Sequence, residues 1–262
     1  MNVYGGQFLK PLMDFLVAAG QDADILCLQE VFDTSSNVRE SRGVRTNLFQ
    51  EICETLPEFQ GFFSPLKTGF DLKGPVDFNL TCGLAILVRS TSPVTAHGMV
   101  AVEHRQFEPA EAPMKDVDAL AGNFQYVHLE IQGRAFTICN FYGMWYPGSK
   151  LDTPERLAQS DSLVSFLANR KGHQVVLGDF NLLPDTRSIR RIEEVGLTNL
   201  IRAFGIKTTR GAFVKSFSQY WDNFQEYTDY AFTSSGLEVL DFQVPEVAIS
   251  DHLPLVVKIR FE

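Results

Sequence analysis

The chain has 262 residues, 45% of them hydrophobic and 12% aromatic, with a net charge of -9. This apolar content suffices for a substantial core and excludes a disordered chain or a short stapled scaffold, and its longest apolar runs, residues 84–88 and 175–177, fall far short of the roughly 20 residues of a membrane-spanning helix. The acidic balance argues against a broad basic groove for nucleic acid, but it permits a polyanionic substrate where bound cations reverse the local field.

Residues 1–6 show neither a basic segment nor an apolar signal-peptide stretch, so a cytoplasmic protein is expected. Apolar positions at helical spacing predict a helix over residues 8–19, with Pro11 near its first turn. A buried strand follows over residues 23–29 (ADILCLQ), then a helix over 46–56 with Leu48, Phe49, Ile52, Cys53 and Leu56 on one stripe. Residues 82–88 and 126–141 are β-rich, and the polar, proline-containing residues 106–122 between them read as loop. After Asp152, Thr153 can cap a helix with Pro154 in its first position and Leu157, Val164 and Leu167 on one face. A strand over 174–177 and a helix over 186–195, stopped by Gly196, come next. In the last strand Leu255, Val257, Ile259 and Phe261 alternate with Val256, Lys258 and Arg260. The mixture suits a two-sheet sandwich flanked by helices, in a single domain over residues 1–262.

The four cysteines, Cys27, Cys53, Cys82 and Cys139, are widely spaced and form no CxxC pair. They read as small hydrophobes rather than disulfide partners or zinc ligands. The chemistry-bearing residues are instead at strand ends. ILCLQE ends at Glu30, VVLGDFN delivers Asp179 and Asn181, and AISDHLPL places Asp251 and His252 just before the last strand. Strand termini hold side chains rigidly while leaving them open to a ligand, and a hard cation such as Mg2+ favours carboxylate and amide oxygens. Taken singly these residues have blander readings: a surface turn at Glu30, an Asx turn at Asp179, a satisfied core histidine at His252.

In sequence order, NVYGG (residues 2–6), LQE ending at Glu30, GDFN (178–181), TDY (228–230) and SDH (250–252) resemble the motifs of the endonuclease/exonuclease/phosphatase superfamily. The resemblance implies a four-layer α/β sandwich of the DNase I-like kind, with two mixed sheets face to face and helices outside. It also implies hydrolysis of a phosphoester, in nucleic acid or a small molecule, by metal-activated water with Mg2+ or Mn2+ as cofactor. Carried over by position, Glu30 is the metal-ligating glutamate, assisted by Asn2, with Asp251 as a further carboxylate beside the metal. Asp179 orients and deprotonates the attacking water, Asn181 donates to a phosphate oxygen, and His252 contacts the scissile phosphate with its imidazole held by Asp229. The carboxylate is expected to favour the imidazolium form.

Many members have histidine in the segment corresponding to CNFYG (139–143), where this chain has Tyr142. The abasic-site endonuclease branch is similar in using tyrosine there, and a phenol can donate to a phosphate oxygen while staying neutral. A phosphoester substrate and a monomeric state are expected. The alternative is a protein of the same fold that binds a phosphorylated ligand without hydrolysing it. Trp145 and Tyr146 offer stacking surfaces, Lys150 a contact to a distal phosphate, and Arg156 a bidentate clamp, although this stretch reads equally as a helix entry. Thr208–Arg210 has no assignment, and His97, His104, His128 and His173 are read as structural or surface residues.

Overall fold

The computed structural model describes residues 1–101, 123–145, 149–215 and 225–262. The loop expected over 106–122, His104 and Tyr146 therefore lie outside the described residues. The first part of the chain contains α1 (Leu9–Asp22), β1 (Ile25–Asp33), β2 (Glu40–Ser41), β3 (Val44–Arg45), α2 (Leu48–Thr55), β4 (Phe59–Thr68), β5 (Phe70–Asp71), β6 (Gly74–Pro75), β7 (Thr81–Arg89) and β8 (Val94–Ala101). Then come β9 (Asn123–Ile131), β10 (Arg134–Tyr142), α3 (Pro154–Ala168), β11 (His173–Asp179), α4 (Arg187–Glu194), β12 (Thr198–Asn199), α5 (Leu200–Ala203), α6 (Ala212–Lys215), β13 (Asp229–Thr233), β14 (Leu237–Gln243) and β15 (Val256–Phe261).

Two sheets dominate. One has the order β1-β7-β4 and is antiparallel; the other has the order β12-β13-β11-β10-β9-β8, with β10 and β11 its parallel neighbours. Side-chain alternation distributes each strand between two cores. On β7, Ile86 and Val88 join Val127, Leu129, Phe136 and Ile138 between the sheets, while Ala85 and Leu87 face Leu12 and Leu16 of α1 and Leu48 and Ile52 of α2. On β10, Phe136 and Ile138 point inward, and Cys139 and Phe141 meet Leu163 and Leu167 of α3 and Ile189 and Ile192 of α4. The layers are therefore helix, sheet, sheet, helix, as the resemblance implied.

The inner face of β10 changes character along its length. After Phe136 and Ile138 comes Asn140, fully buried, which accepts from Gln29 Nε2 (2.5 Å) and donates to the carbonyls of Leu28 (2.9 Å) and Ala85 (3.2 Å). This polar bridge ties the sheets together, and the next inward residue is Tyr142 at the strand end.

Helix ends follow the capping chemistry. Thr153 Oγ1 accepts from the Arg156 amide with Pro154 in the first turn, as capping preferences require. For α4 the cap comes from elsewhere: Asp152 accepts from the Arg187 amide (2.7 Å), the Ser188 amide (2.9 Å) and Ser188 Oγ (2.6 Å). The strand expected to end at residue 29 runs on to Asp33. Its pairing with β7 shifts between Leu28 and Val31, and Glu30 takes φ 55 there, so a bulge absorbs the irregularity that a sequence pattern reads as an end.

Candidate active site

The polar ends of β1, β10, β11 and β13 open at one place in the fold, where the segment before β15 also arrives. Asp179 is 2% exposed and belongs to the same inward-facing set as Val175 and Leu177. Gly178 before it has φ +148, and a Cβ there would lie 2.0 Å from the Phe141 carbonyl oxygen, so the GDFN turn needs glycine at this point. Asp179 Oδ1 accepts from Thr228 Oγ1 (2.6 Å) and from the Asn181 amide (3.0 Å). The Asx turn suggested by the sequence is thus present, and it coexists with a second oxygen directed into the site. That oxygen, Oδ2, accepts from Asn2 Nδ2 (3.3 Å) and lies 3.9 Å from His252 Nε2.

Asn2 is brought in by a parallel bridge to Gln29, and its Oδ1 accepts from the Tyr4 amide (2.9 Å). Glu30 projects from the bulge, and Tyr142 donates its hydroxyl to Glu30 Oε1 (2.9 Å). The phenol that sequence reasoning aimed at a phosphate oxygen is thus engaged with a carboxylate. Burial, together with the nearby charges of Asp251 and Asp179, pushes the Glu30 carboxyl up to about 7. Asn181, with φ 53, is held by Nδ2 donating to Gly143 O (3.1 Å), and its Oδ1 accepts from Lys150 Nζ (3.3 Å). A non-glycine residue in the left-handed region is uncommon, and Glu30 and Asn181 both adopt it in this site.

His252 Nδ1 donates to Asp229 Oδ2 (2.9 Å) and Oδ1 (3.1 Å), and its Nε2 lies 2.6 Å from Arg210 Nη1. Arginine carries only donors, so Nε2 is the acceptor and the ring is neutral with its proton on Nδ1. Burial, reinforced by the Arg210 charge, pushes His252 down to about 4. The imidazolium expected from the sequence is corrected on these grounds: a carboxylate neighbour favours that form, but desolvation and a permanent guanidinium charge beside Nε2 outweigh it.

Arg210 is the residue that the motifs missed. Its backbone forms an antiparallel bridge with His252, and its Nη2 donates to Asp251 Oδ2 (3.2 Å). Neighbouring Thr209 Oγ1 accepts the amides of Thr228 (3.1 Å) and Asp229 (3.2 Å). Arg156, in contrast, is no ligand clamp: it is 1% exposed and donates to the carbonyls of Met144 (3.1 Å), Leu151 (2.5 Å) and Ser149 (2.9 Å), fixing the entry to α3. His97 packs on Phe62, His128 meets Thr137 Oγ1 and His173 packs on Phe261, all away from this cluster. A groove of about 750 Å3 lined by Leu151, Pro184, Asn199 and Tyr227 contains none of the strand-end carboxylates.

Asp179, Asp229 and His252 offer ligand atoms lying within 4.8 Å of one another, a grouping that can hold a cation. Together with the Glu30 carboxylate and the Asn2 amide, the donors are mainly hard oxygens. The model of the Endonuclease/Exonuclease/phosphatase family matches residues 1–252. The chain belongs to this family. Among solved structures, this family member resembles an endonuclease/exonuclease/phosphatase from Beutenbergia cavernae, with 17% identity and TM-score 0.68 over 96% of this chain and 66% of that one. It is also similar to the mannosyl-6-phosphatase of Bacteroides thetaiotaomicron (16%, 0.68, 98% and 92%) and to the human Nocturnin catalytic domain with bound sulfate (22%, 0.65, 99% and 86%). At these identities the likeness establishes the fold. No curated protein gives a significant match to the family member.

Proposed function

We propose that this chain is a divalent-cation-dependent phosphoester hydrolase, acting as one domain with Mg2+ or Mn2+. The observation that carries the reading is the convergence of buried Asp179, Asp229 and His252, from three distant segments, beside Glu30 and Asn2. Buried like-charged carboxylates are unfavourable without a counter-charge, and Glu30, whose carboxyl is pushed up by burial and by Asp251, has Asn2 and Tyr142 but, among the described residues, no cationic side chain as its bonded partners. Glu30 and Asn2, with the Asp251 carboxylate, would hold a hard divalent cation beside this cluster, while Asp179, Asp229 and His252 keep the roles below. Such a cation supplies charge neutralisation at the phosphate oxygens and acidifies a water molecule.

The remaining roles belong to the protein. Asp179 Oδ1 is committed to Thr228 and the Asn181 amide, so Oδ2 is the atom that takes the proton of the attacking water. Asn181 donates one amide hydrogen to Gly143 and keeps the other for a phosphate oxygen. Asp229 fixes the orientation of His252, whose Nε2 can bond a phosphate oxygen only when the ring takes up a second proton, and Tyr142 sets the rotamer of Glu30 through its hydroxyl.

The test is hydrolysis of a panel comprising abasic DNA, single-stranded DNA, RNA, inositol phosphates, phospholipid head groups and a chromogenic diester, with Mg2+ or Mn2+. Turnover that disappears with chelator and in Asp179→Ala is the expected result. Turnover that survives either treatment refutes the mechanism. A second reading, capture of a phosphorylated ligand without turnover, draws on the contact between Arg210 Nη1 and His252 Nε2. Saturable binding with no hydrolysis across the panel selects it.

A further inference from the structure

Arg210 sits at the centre of the candidate site, yet the roles above do not use it. Its position is built into the fold. The Gly211 amide donates to Asp251 O (2.8 Å) and the Leu253 amide to Thr209 O (2.9 Å), so the Arg210 segment pairs with the SDH segment on both sides. At Gly211 a Cβ would approach Ser250 O to 2.8 Å, which keeps the two backbones close. The side chain is 10% exposed, and its fork reaches His252 Nε2 (2.6 Å) and Asp251 Oδ2 (3.2 Å). Lys150 Nζ approaches from the other direction, through Asn181 Oδ1 (3.3 Å).

We propose that Arg210 is a specificity-determining phosphate clamp that, with Lys150, selects a terminal phosphomonoester over an internal diester. The proposal rests on the hydrolase reading and names its substrate class. Each Nη carries two hydrogens, so Nη2 can keep Asp251 while adjacent N–H groups of Nη1 and Nη2 match two oxygens of one phosphate, a stronger pairing than the contact with a neutral imidazole nitrogen that it would replace. If the cation takes one unesterified oxygen, which can also accept from Asn181, and the fork takes two others, three are needed. A monoester has three and a diester has two. The monoester also carries the second negative charge that a buried guanidinium and ammonium compensate, whereas a long diester backbone has little to meet on a chain of net charge -9. Lys150 reinforces the choice: burial lowers its ammonium to about 8, so it stays largely charged at neutral pH and gains from an anionic ligand.

The experiment compares 4-nitrophenyl phosphate with methyl 4-nitrophenyl phosphate as substrates in Mg2+. In parallel, phenylphosphonate and its methyl monoester are compared as ligands by calorimetry, since the first has no ester bond and the second only a poor methoxide leaving group. Loss of a charge-assisted bidentate contact in Arg210→Met is expected to lower the monoester-to-diester ratio of kcat/KM, relative to the wild type, by about 30-fold. Binding of the dianionic phosphonate should weaken by a similar factor, and that of the monoanion by no more than about threefold. Lys150→Met should shift both ratios in the same direction. Arg210→Lys, which keeps the charge but not the fork, serves if Arg210→Met does not fold, and a drop in selectivity of at least about fivefold is expected. Equal losses on both members of each pair, or no loss, overturn the clamp. Selective phosphonate binding without turnover in the wild type supports the clamp and refutes the hydrolase, whereas turnover with unchanged ratios in the variants overturns the clamp and leaves the hydrolase standing.

Discussion

Replacing Asn140 with alanine cuts the polar bridge between the sheets at a defined cost. Three buried groups lose a partner within 3.2 Å: Gln29 Nε2, which donates to Asn140 Oδ1 at 2.5 Å, and the carbonyls of Leu28 and Ala85, which accept from Asn140 Nδ2 at 2.9 and 3.2 Å. The bridge lies between two cores and no water can replace the amide without room for itself, so each orphaned group carries a desolvation penalty of about 1 kcal/mol at the low end of the range. The sum is a destabilisation of about 3 kcal/mol, which for a chain of this size lowers Tm by roughly 6–12 °C. Equilibrium urea unfolding followed by tryptophan fluorescence measures it, with an unchanged m-value as the sign that the unfolded state is unaffected. Asn140→Asp, nearly the same shape, should be worse than alanine, because a carboxylate cannot donate to the two carbonyls. A loss below about 1 kcal/mol for alanine would refute the idea that this bridge is a structural seam beneath the candidate site.

Other outcomes follow from the same geometry. Asp179→Asn keeps the shape but removes the base at Oδ2, and turnover of any substrate found should fall by about a thousandfold with folding preserved, measured as kcat beside a thermal melt. Tyr142→Phe removes the donor to Glu30 Oε1; a Mg2+ titration should show half-saturation raised by about tenfold, the scale expected when a residue supporting a metal ligand is lost. At Asp71, burial raises the carboxyl, but hydrogen bonds from Arg42, Ser41 and the Lys73 amide outweigh it and hold the group below its ordinary value of 3.8. A depressed folded value means stability that is present above 3.8 and lost as pH falls through the lower folded value. The Tm advantage of the wild type over Asp71→Asn should therefore be constant near neutrality and shrink on strong acidification, and an advantage that grows below pH 3.8 contradicts the assignment.

The family was legible because five short motifs stand in sequence order, and the layer order was what that resemblance implied. Apolar spacing in residues 8–19 and 46–56 marked the two helices over the smaller sheet, and the apolar runs leading into LQE and GDFN set their carboxylates apart from the core side chains. Where the pattern misled, the cause lay outside the segment. Glu30 was read as lying beyond its strand because a bulge against β7 carries the strand onward. Arg156 stayed open between a ligand clamp and a helix entry because nothing in WYPGSKLDTPER shows that the carbonyls of Ser149 and Leu151, with that of Met144 just before the stretch, would claim its guanidinium.

Alone, then, the sequence determined much of the secondary-structure alphabet and the residue types at the strand ends, since each depends on side-chain type and short-range period, while the sandwich followed from the family resemblance. The tertiary structure decided how those residues are wired. It sent the Tyr142 hydroxyl to Glu30, put the His252 proton on Nδ1, and brought Arg210 from an unassigned polar stretch into contact with His252 and Asp251. Those outcomes depend on pairing between segments distant in the chain and on the low dielectric of the buried interior, and neither can be read from neighbours in sequence.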